Sequence, residues 1–317
     1  MRAKLFYSLR MSCFLLAAAA LFLGPGCGKQ APPKEPASPA GVDPAAWKPE
    51  TPFAGTILFQ SDADGDDEIY ALTRDGVLKL TDNAWNDRTP RWSPDGGRIA
   101  FSANPAGPSD IFIMNADGSG IAAVVDSPAE ETEPDWRPDG SGLAFTRGDE
   151  EIWTIDFGSR KEARLVPDFS RSHGILDFSA SAPLATFTGK RLLGWDVFVV
   201  DLTSGRATPL TSGGKSCRGR FSPDGRMIAF VSSTVDGWGD VWTMGPDGAE
   251  KTRQVGTSGT ADYFPAWSPD GTEIVFCSGT AHSPREGRWT LHILDVATQR
   301  VRPLFSGPER ALFPDWR

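Results

Sequence analysis

The amino-acid sequence predicts an all-β protein, a six-bladed β-propeller built from four-stranded antiparallel blades. Three observations lead to this fold class. A motif of about fifteen residues recurs along the chain, and its anchor aromatic residues stand 42 to 49 residues apart, near the length of one four-stranded blade. The 317 residues include 34 Gly and 26 Pro, which interrupt long helices and favour short strands joined by tight turns.

The repeat is clearest in residues 89–103 (TPRWSPDGGRIAFSA), 133–147 (EPDWRPDGSGLAFTR), 218–232 (RGRFSPDGRMIAFVS) and 264–278 (FPAWSPDGTEIVFCS). A weaker copy covers 175–189, and the chain ends in FPDWR, the first half of another copy. Each copy reads as an aromatic strand, a tight turn and an apolar strand. The anchor aromatic residues are Trp92, Trp136, Phe178, Phe221, Trp267 and Trp316.

Each unit continues with an acidic residue and a β-rich run, such as Asp110-Ile111-Phe112, and an Asp-Gly turn then leads to an outer strand. The two ends of the chain complete one unit between them. Residues 56–61 (TILFQS) match the apolar strand without an aromatic strand before it, and residues 313–317 supply an aromatic strand. We therefore expect the C-terminal strand to pair with the N-terminal strands, which closes the ring and leaves no free sheet edge.

These motifs resemble the WD40-like, PD-type repeats of the TolB family of periplasmic β-propellers. The resemblance covers about residues 55–317 and is carried by the four WSPDG-and-IAF copies. It implies a closed propeller, and it favours a protein partner because a propeller face serves protein contacts in that family. The shared motifs build blades, so the resemblance assigns no partner-binding residue.

The first 27 residues have the pattern of an export signal. Arg2, Lys4 and Arg10 precede the apolar residues 14–23, a run too short for a permanent membrane-spanning helix. The small residues before Cys27 resemble the lipobox of bacterial lipoproteins, which implies lipidation of Cys27. The alternatives are ordinary secretion and an uncleaved anchor. We expect a Pro/Ala-rich linker over 28–54 and the propeller over 55–317.

Composition narrows the function. A formal net charge of −9 argues against nucleic acid as a partner, since phosphate binding needs a basic surface. Three His leave little room for a His-rich metal site or a relayed proton transfer, and no GxSxG nucleophile elbow occurs. We expect a non-enzymatic monomer without a cofactor. Pairing of Cys217 with Cys277 is permitted outside the cytoplasm but does not follow from the sequence.

The residue before each anchor aromatic lies on an innermost strand, beside the central channel. These channel-lining candidates are Arg91, Asp135, Asp177, Arg220 and Asp315, with Ala266 in the remaining unit. Two interpretations stay open. The charges form salt bridges and hydrogen bonds between blades, or they make a polar channel mouth that captures a ligand.

The densest acidic cluster lies in the segment 62–68 (DADGDDE), before a predicted third strand. Carboxylates of Asp62, Asp64 and Asp66 alternate around a glycine and are candidate oxygen ligands for Ca²⁺. The twelve-residue EF-hand spacing is absent, so a solvated hairpin loop is the other interpretation.

Four tryptophans remain after those in strands and in the linker are accounted for. Trp85 lies in a connection between blades, and Trp195, Trp238 and Trp289 lie between second and third strands. In an up-and-down blade both kinds of connection emerge at one end of the ring. Exposed Trp is a common interface anchor, so a partner-binding face there is our hypothesis; the alternative is that each Trp folds over the edge of its own blade. This face also holds Tyr263, with neighbours His173, His282 and Arg285.

The sequence therefore predicts a binding or scaffold propeller, tethered by lipid alone to a membrane of the bacterial periplasm or cell surface, whose partner is an envelope protein or peptide. Two alternatives remain. One is a propeller hydrolase or lyase, in which carboxylates such as Asp135 and Asp177 act as acid and base in an open, ligand-sized channel pocket. The other is a glycan-binding module.

Overall fold

A computed structural model describes residues 46–148, 151–166, 169, 172–307 and 310–317. The strands in the first half of these ranges are β1 (Ile57–Ser61), β2 (Glu68–Thr73), β3 (Gly76–Lys79), β4 (Asp87–Trp92), β5 (Arg98–Ala103), β6 (Asp110–Asn115), β7 (Ala122–Val125), β8 (Glu131–Trp136), β9 (Gly142–Arg147), β10 (Glu151–Asp156) and β11 (Glu162–Arg164). The strands that follow are β12 (Ser172–Phe178), β13 (Leu184–Arg191), β14 (Gly194–Asp201), β15 (Ala207–Pro209), β16 (Ser216–Phe221), β17 (Ile228–Ser232), β18 (Asp240–Met244), β19 (Thr252–Arg253), β20 (Ala261–Trp267), β21 (Glu273–Gly279), β22 (Trp289–Asp295), β23 (Arg300–Phe305) and β24 (Leu312–Trp316).

The strands of the described ranges form six four-stranded antiparallel sheets, which confirms the predicted six-bladed propeller. Blade 1 has the order β24-β1-β2-β3, and blades 2 to 6 follow in chain order as β4–β7, β8–β11, β12–β15, β16–β19 and β20–β23. The ring closes as predicted, because β24 pairs antiparallel with β1 and Trp316 stands opposite Ile57.

The turn between the first two strands of a blade is fixed by its own side chains. In blade 2 the Ser93 hydroxyl donates to Asp95 Oδ1 (2.6 Å), which also accepts the Gly97 N–H (3.0 Å). Gly96 has a φ of 72°, a left-handed conformation that glycine adopts without strain. The Ser and Asp contacts recur in blades 5 and 6, so the repeated Ser-Pro-Asp-Gly sequence encodes the turn itself.

The apolar core lies between the sheets, where the second strands present one equivalent phenylalanine per blade. Each is 0 or 1% exposed, and burying an aromatic ring of this size is among the largest single contributions to a core. The six are Phe59, Phe101, Phe145, Phe187, Phe230 and Phe276.

The last residues of the predicted linker lie against the propeller. Trp47 packs against Tyr70 and Phe305 with ring centroids 5.9 and 5.8 Å away, and the Glu50 N–H donates to the Leu304 carbonyl (2.7 Å). Residues 46–54 thus cover the outer strands of blades 1 and 6. Within the described ranges, no helix has the length and apolar character needed to cross a membrane.

Candidate functional site

The propeller has two unlike ends. The turn face holds the tight turns that join first to second and third to fourth strands. The loop face holds the connections between second and third strands, which include residues 62–67, 104–109, 192–193, 233–239 and 280–288, and the connections between blades. Strand order places all of the predicted partner-binding residues at or near the loop face.

Trp289 corrects the prediction of an exposed tryptophan at this face. Its side chain is fully buried, and its indole N–H donates to the Glu286 carbonyl (2.7 Å). Gly279, opposite it on β21, leaves the space for the indole, since a Cβ there would lie 2.6 Å from the ring. Trp289 begins strand β22 and packs into the core, so its side chain is not part of the exposed surface of the loop face.

Trp85 and Trp195 lie apart on the face. Trp85 is partly buried and packs against the apolar cluster between blades 1 and 2. Trp195 is partly buried at the base of the β13–β14 hairpin, where the Lys190 ammonium lies 5.2 Å from its ring centroid. Arg285 is exposed, and the description does not include the side chain of His173.

Trp238 and Tyr263 contribute to a larger group, here named the aromatic cluster, which crosses from the loops of blades 5 and 6 to the channel. Trp238 stacks on the exposed His282 with ring centroids 3.7 Å apart and planes 19° apart. Tyr263 stacks on the buried Trp289 at 5.6 Å. The cluster consists of Trp238, His282, Tyr263, Phe264, Phe313 and Arg218.

Arg218 joins the cluster to the channel. Its guanidinium lies 5.2 Å from the Tyr263 ring centroid and 4.5 Å from that of Phe264, distances typical of cation–π contacts. Phe264 in turn packs on Phe313 with ring centroids 3.9 Å apart. Aromatic and arginine side chains that are partly accessible are the composition typical of binding hot spots.

The sequence prediction missed Arg218, Phe264 and Phe313, although a signal for them exists. Each stands three residues before an anchor aromatic, and this position has a left-handed φ in every blade. Such backbone conformations are costly for residues other than glycine and occur often at functional sites. The six residues are Thr89 (53°), Glu133 (54°), Ile175 (63°), Arg218 (60°), Phe264 (57°) and Phe313 (51°).

The channel-lining candidates form one charged belt. Arg91 Nη1 lies 3.3 Å from Asp315 Oδ1, and its Nε lies 4.0 Å from Asp135 Oδ1. Arg220 contacts Asp177 at 2.9 Å and Asp315 at 2.8 Å. Arg220 of blade 5 contacts Asp315 of blade 1 across blade 6, because the equivalent residue of blade 6 is the small Ala266.

The belt also joins successive blades through the backbone. Each carboxylate accepts the N–H of the anchor aromatic in the following blade. The pairs are Asp315 with Trp92 (2.8 Å), Asp135 with Phe178 (3.2 Å) and Asp177 with Phe221 (2.6 Å). These contacts match the interpretation of the charges as links between blades.

Burial shifts the acid–base behaviour of the belt. It raises the pKa of Asp177 to about 7 and raises the pKa values of Asp135 and Asp315, while Arg91 opposes the shift in all three. The cavity beside the belt, lined in part by Arg91, Arg220 and Phe264, measures about 10 Å³. That volume holds about one water molecule, so this cavity is much smaller than the open, ligand-sized pocket that the acid–base alternative requires.

The carboxylates of the acidic segment form ion pairs with a lysine of the same chain. The Lys79 ammonium contacts Asp64 and lies 2.7 Å from Asp82 and 3.7 Å from Glu68, the three carboxylates whose oxygens lie close enough to share a metal ion. Asp62 pairs with Arg310. Asp66 adds no ligand to the group, and burial raises its pKa. The arrangement fits a loop closed by ion pairs better than the predicted calcium site.

Cys27 and residues 28–45 lie outside the described residues, so lipidation and the first part of the linker stay predictions. Cys217 and Cys277 are both free thiols. Burial raises the pKa of the Cys277 thiol well above its ordinary range. Nothing in the geometry pairs the two.

Comparison with known proteins agrees with this architecture. Residues 78–168 match the family described as the TolB β-propeller domain. An uncharacterized protein of Agrobacterium fabrum is 33% identical over 138 residues, which cover 41% of this chain and 46% of that protein. The TolB homolog of Chlorobium luteolum is 32% identical over 160 residues, which cover 49% of this chain and 36% of that protein.

A solved structure extends the likeness to the whole ring. TolB from Acinetobacter baumannii matches with a TM-score of 0.71 at 20% identity, over 83% of this chain and 67% of that one. The match in sequence spans less than half the length of the Agrobacterium fabrum and Chlorobium luteolum proteins. The fold shared with the Acinetobacter baumannii structure extends over the propeller. The part of the chain that the structure describes is therefore a six-bladed β-propeller, and residues 78–168 of the chain match the TolB β-propeller domain.

Proposed function

We propose that this propeller is a non-enzymatic binding module of the bacterial envelope, whose loop face holds a protein or peptide partner. The observation that carries the proposal is the aromatic cluster. It combines stacked rings with the guanidinium of Arg218, which also lines the small cavity beside the belt. Likeness to TolB proteins supports a binding role in the envelope.

The partner's contact would centre on Trp238, Tyr263 and His282. His282 is exposed, and Trp238 is partly buried against the largest apolar cluster, which fixes its ring in place. Gly239 allows Tyr263 to pack directly beside it, since a Cβ there would clash with the phenol ring. A rigid aromatic surface loses little conformational entropy on binding, which favours affinity.

Export and lipidation at Cys27 complete the proposal and place the propeller on a membrane of the periplasm or cell surface. Inhibition of lipoprotein signal peptidase with globomycin tests this part. A heavier precursor is expected to accumulate if Cys27 is lipidated. Unchanged mobility, together with a Cys27→Ala protein that fractionates like the wild type, would exclude the lipid anchor.

A cross-linked pull-down from intact envelopes tests the binding role. Trp238→Ala and Tyr263→Ala are expected to lower recovery of at least one partner by ten-fold or more, the loss typical of a hot-spot residue. Val235→Ala is the matched control, because Val235 is 56% exposed on the same loop as Trp238. Equal recovery from all three variants, each with a wild-type melting temperature, would refute the proposed face.

A further inference from the structure

The hairpin of blade 4 ends in two exposed leucines. Strands β13 and β14 are eight residues each, and Arg191 pairs with Gly194, which leaves Leu192 and Leu193 as a two-residue turn. Leu192 is 99% exposed and Leu193 is 75% exposed. These are the two most exposed large apolar side chains of the described residues.

Turn chemistry does not explain this choice of residues. Neither leucine has a positive φ, so the turn tolerates most residue types, polar ones included. Blades 1 and 2 make the same connection with polar segments, DADGDD at 62–67 and NPAGPS at 104–109. Leucine at both positions therefore exposes apolar surface without a benefit to the fold.

The base of the hairpin is held firmly, so the tip has a fixed position. The Trp195 N–H donates to the Gly214 carbonyl (3.1 Å), and Trp195 forms an isolated bridge with Lys215. Gly214 is required at this contact, because a Cβ there would clash with the Leu193 carbonyl oxygen. The clamp brings Lys215 beside the hairpin.

Positive charge surrounds the leucines. Lys190, Arg191 and Lys215 are exposed, and Lys190 lies over the Trp195 ring. Residues 184–215 contain four Lys and Arg against two Asp, whereas residues 46–317 as a whole contain 27 Lys and Arg against 39 Asp and Glu. The β13–β14 hairpin and Lys215 therefore form a basic sector on an otherwise acidic body.

We propose that this hairpin docks on an anionic phospholipid bilayer. Leu192 and Leu193 enter the boundary between headgroups and acyl chains, while the cations Lys190, Arg191 and Lys215 contact lipid phosphates. This pairing of apolar and basic residues is typical of interfacial membrane binding, and Trp near the headgroup level is characteristic of it. An acidic body is repelled by an anionic surface, so the basic sector also sets which edge of the propeller faces the membrane.

A tryptophan-quenching experiment tests the proposal on the full chain, reconstituted into vesicles of phosphatidylethanolamine and phosphatidylglycerol with brominated acyl chains. Bromine quenches only an indole close to it, and subtraction of the Trp195→Phe signal isolates Trp195. We expect clear quenching of Trp195 in the wild type. Quenching should fall to roughly half or less when phosphatidylcholine replaces the anionic lipid, because the bilayer surface loses its net negative charge and attracts the lysines and Arg191 less strongly.

The decisive variant is Leu192→Asn with Leu193→Gly. It removes the apolar tip from an exposed turn, so it should melt within a few degrees of the wild type while losing the quenching. Leu78→Asn, at a 59% exposed leucine on β3, is the control and should quench like the wild type. Absence of Trp195 quenching in the wild type, or equal quenching in the Asn-Gly variant, would overturn the proposal. Since the vesicles contain no other protein, a hairpin that instead binds a protein gives the first of these negative results.

Discussion

Replacement of Arg220 with methionine probes the belt that joins the blades around the channel. Methionine keeps the length of the apolar stem but removes the guanidinium, which holds Asp177 at 2.9 Å and Asp315 at 2.8 Å. Asp315 then keeps Arg91, which already contacts Asp135, and the buried Asp177 loses its partner at 2.9 Å. Removing one partner of a buried ion pair costs about 3–5 kcal/mol, and we expect a loss in that range at pH 8.

The cost of Arg220→Met should depend on pH in a defined direction. A protonated Asp177 no longer needs a cation, and its pKa of about 7 in the wild type rises further without Arg220 because an attractive charge is lost. The destabilisation should therefore be smaller at pH 5 than at pH 8. Urea unfolding at both pH values, followed by circular dichroism, measures the free energy of unfolding from the midpoint and slope.

Arg226→Met is the matched control for this measurement. Arg226 lies in a tight turn, where it is 86% exposed and 3.7 Å from Asp224. Its loss should change the free energy of unfolding by no more than about 0.5 kcal/mol. An effect of Arg220→Met below about 1 kcal/mol, the same at both pH values, would refute the argument that the belt holds the blades together.

Three further predictions follow from the same contacts. Burial raises the pKa of Asp177 to about 7, so its favourable contribution to stability is present at low pH and is lost as the pH rises through 7. A hydrogen bond from Ser93 lowers the pKa of the turn residue Asp95, so the contribution of such residues is lost as the pH falls below about 4. Urea midpoints should therefore peak at about pH 4–6, and a midpoint that rises steadily to pH 8 would contradict this. Millimolar CaCl₂ should leave the wild-type Tm unchanged because the Lys79 ammonium occupies the carboxylate group, but it should raise the Tm of Lys79→Met; calcium stabilisation of the wild type would refute this assignment. Gly279→Ala should lower stability by about 1–3 kcal/mol and alter indole emission, since the added methyl meets the Trp289 ring at 2.6 Å; wild-type emission and stability would show that the ring is not confined there.

The fold was predictable because the repeat encodes local structure directly. The Ser-Pro-Asp-Gly segments form turns through contacts between residues two apart, and the phenylalanine of each second strand is buried at its equivalent place. Ring closure was predictable because the N-terminal unit lacks an aromatic first strand and the C-terminal segment supplies one. These features depend on short-range geometry that a single sequence displays.

The site was only partly predictable because exposure depends on packing between distant segments. Trp289 and Trp238 stand in similar loop-to-strand positions, yet a glycine on the neighbouring strand admits the first into the core while His282 from another blade covers the second. Tryptophan enrichment indicates the connections between strands, whereas Arg218 and Phe264 lie on strands β16 and β20, so this signal does not include them. Their left-handed backbone conformation arises only in the folded strand. In the sequence it corresponds to the position three residues before each anchor aromatic.

The central claim is that a partner binds the loop face, and site-specific photocross-linking in living cells tests it most directly. A benzoylphenylalanine at His282 reports on the loop face, and one at Asp139, exposed in a tight turn of blade 3, reports on the turn face. The account predicts a discrete cross-linked protein band from position 282 that Tyr263→Ala weakens, and no such band from position 139. Bands from position 139 alone, or the same bands from both positions, would contradict it.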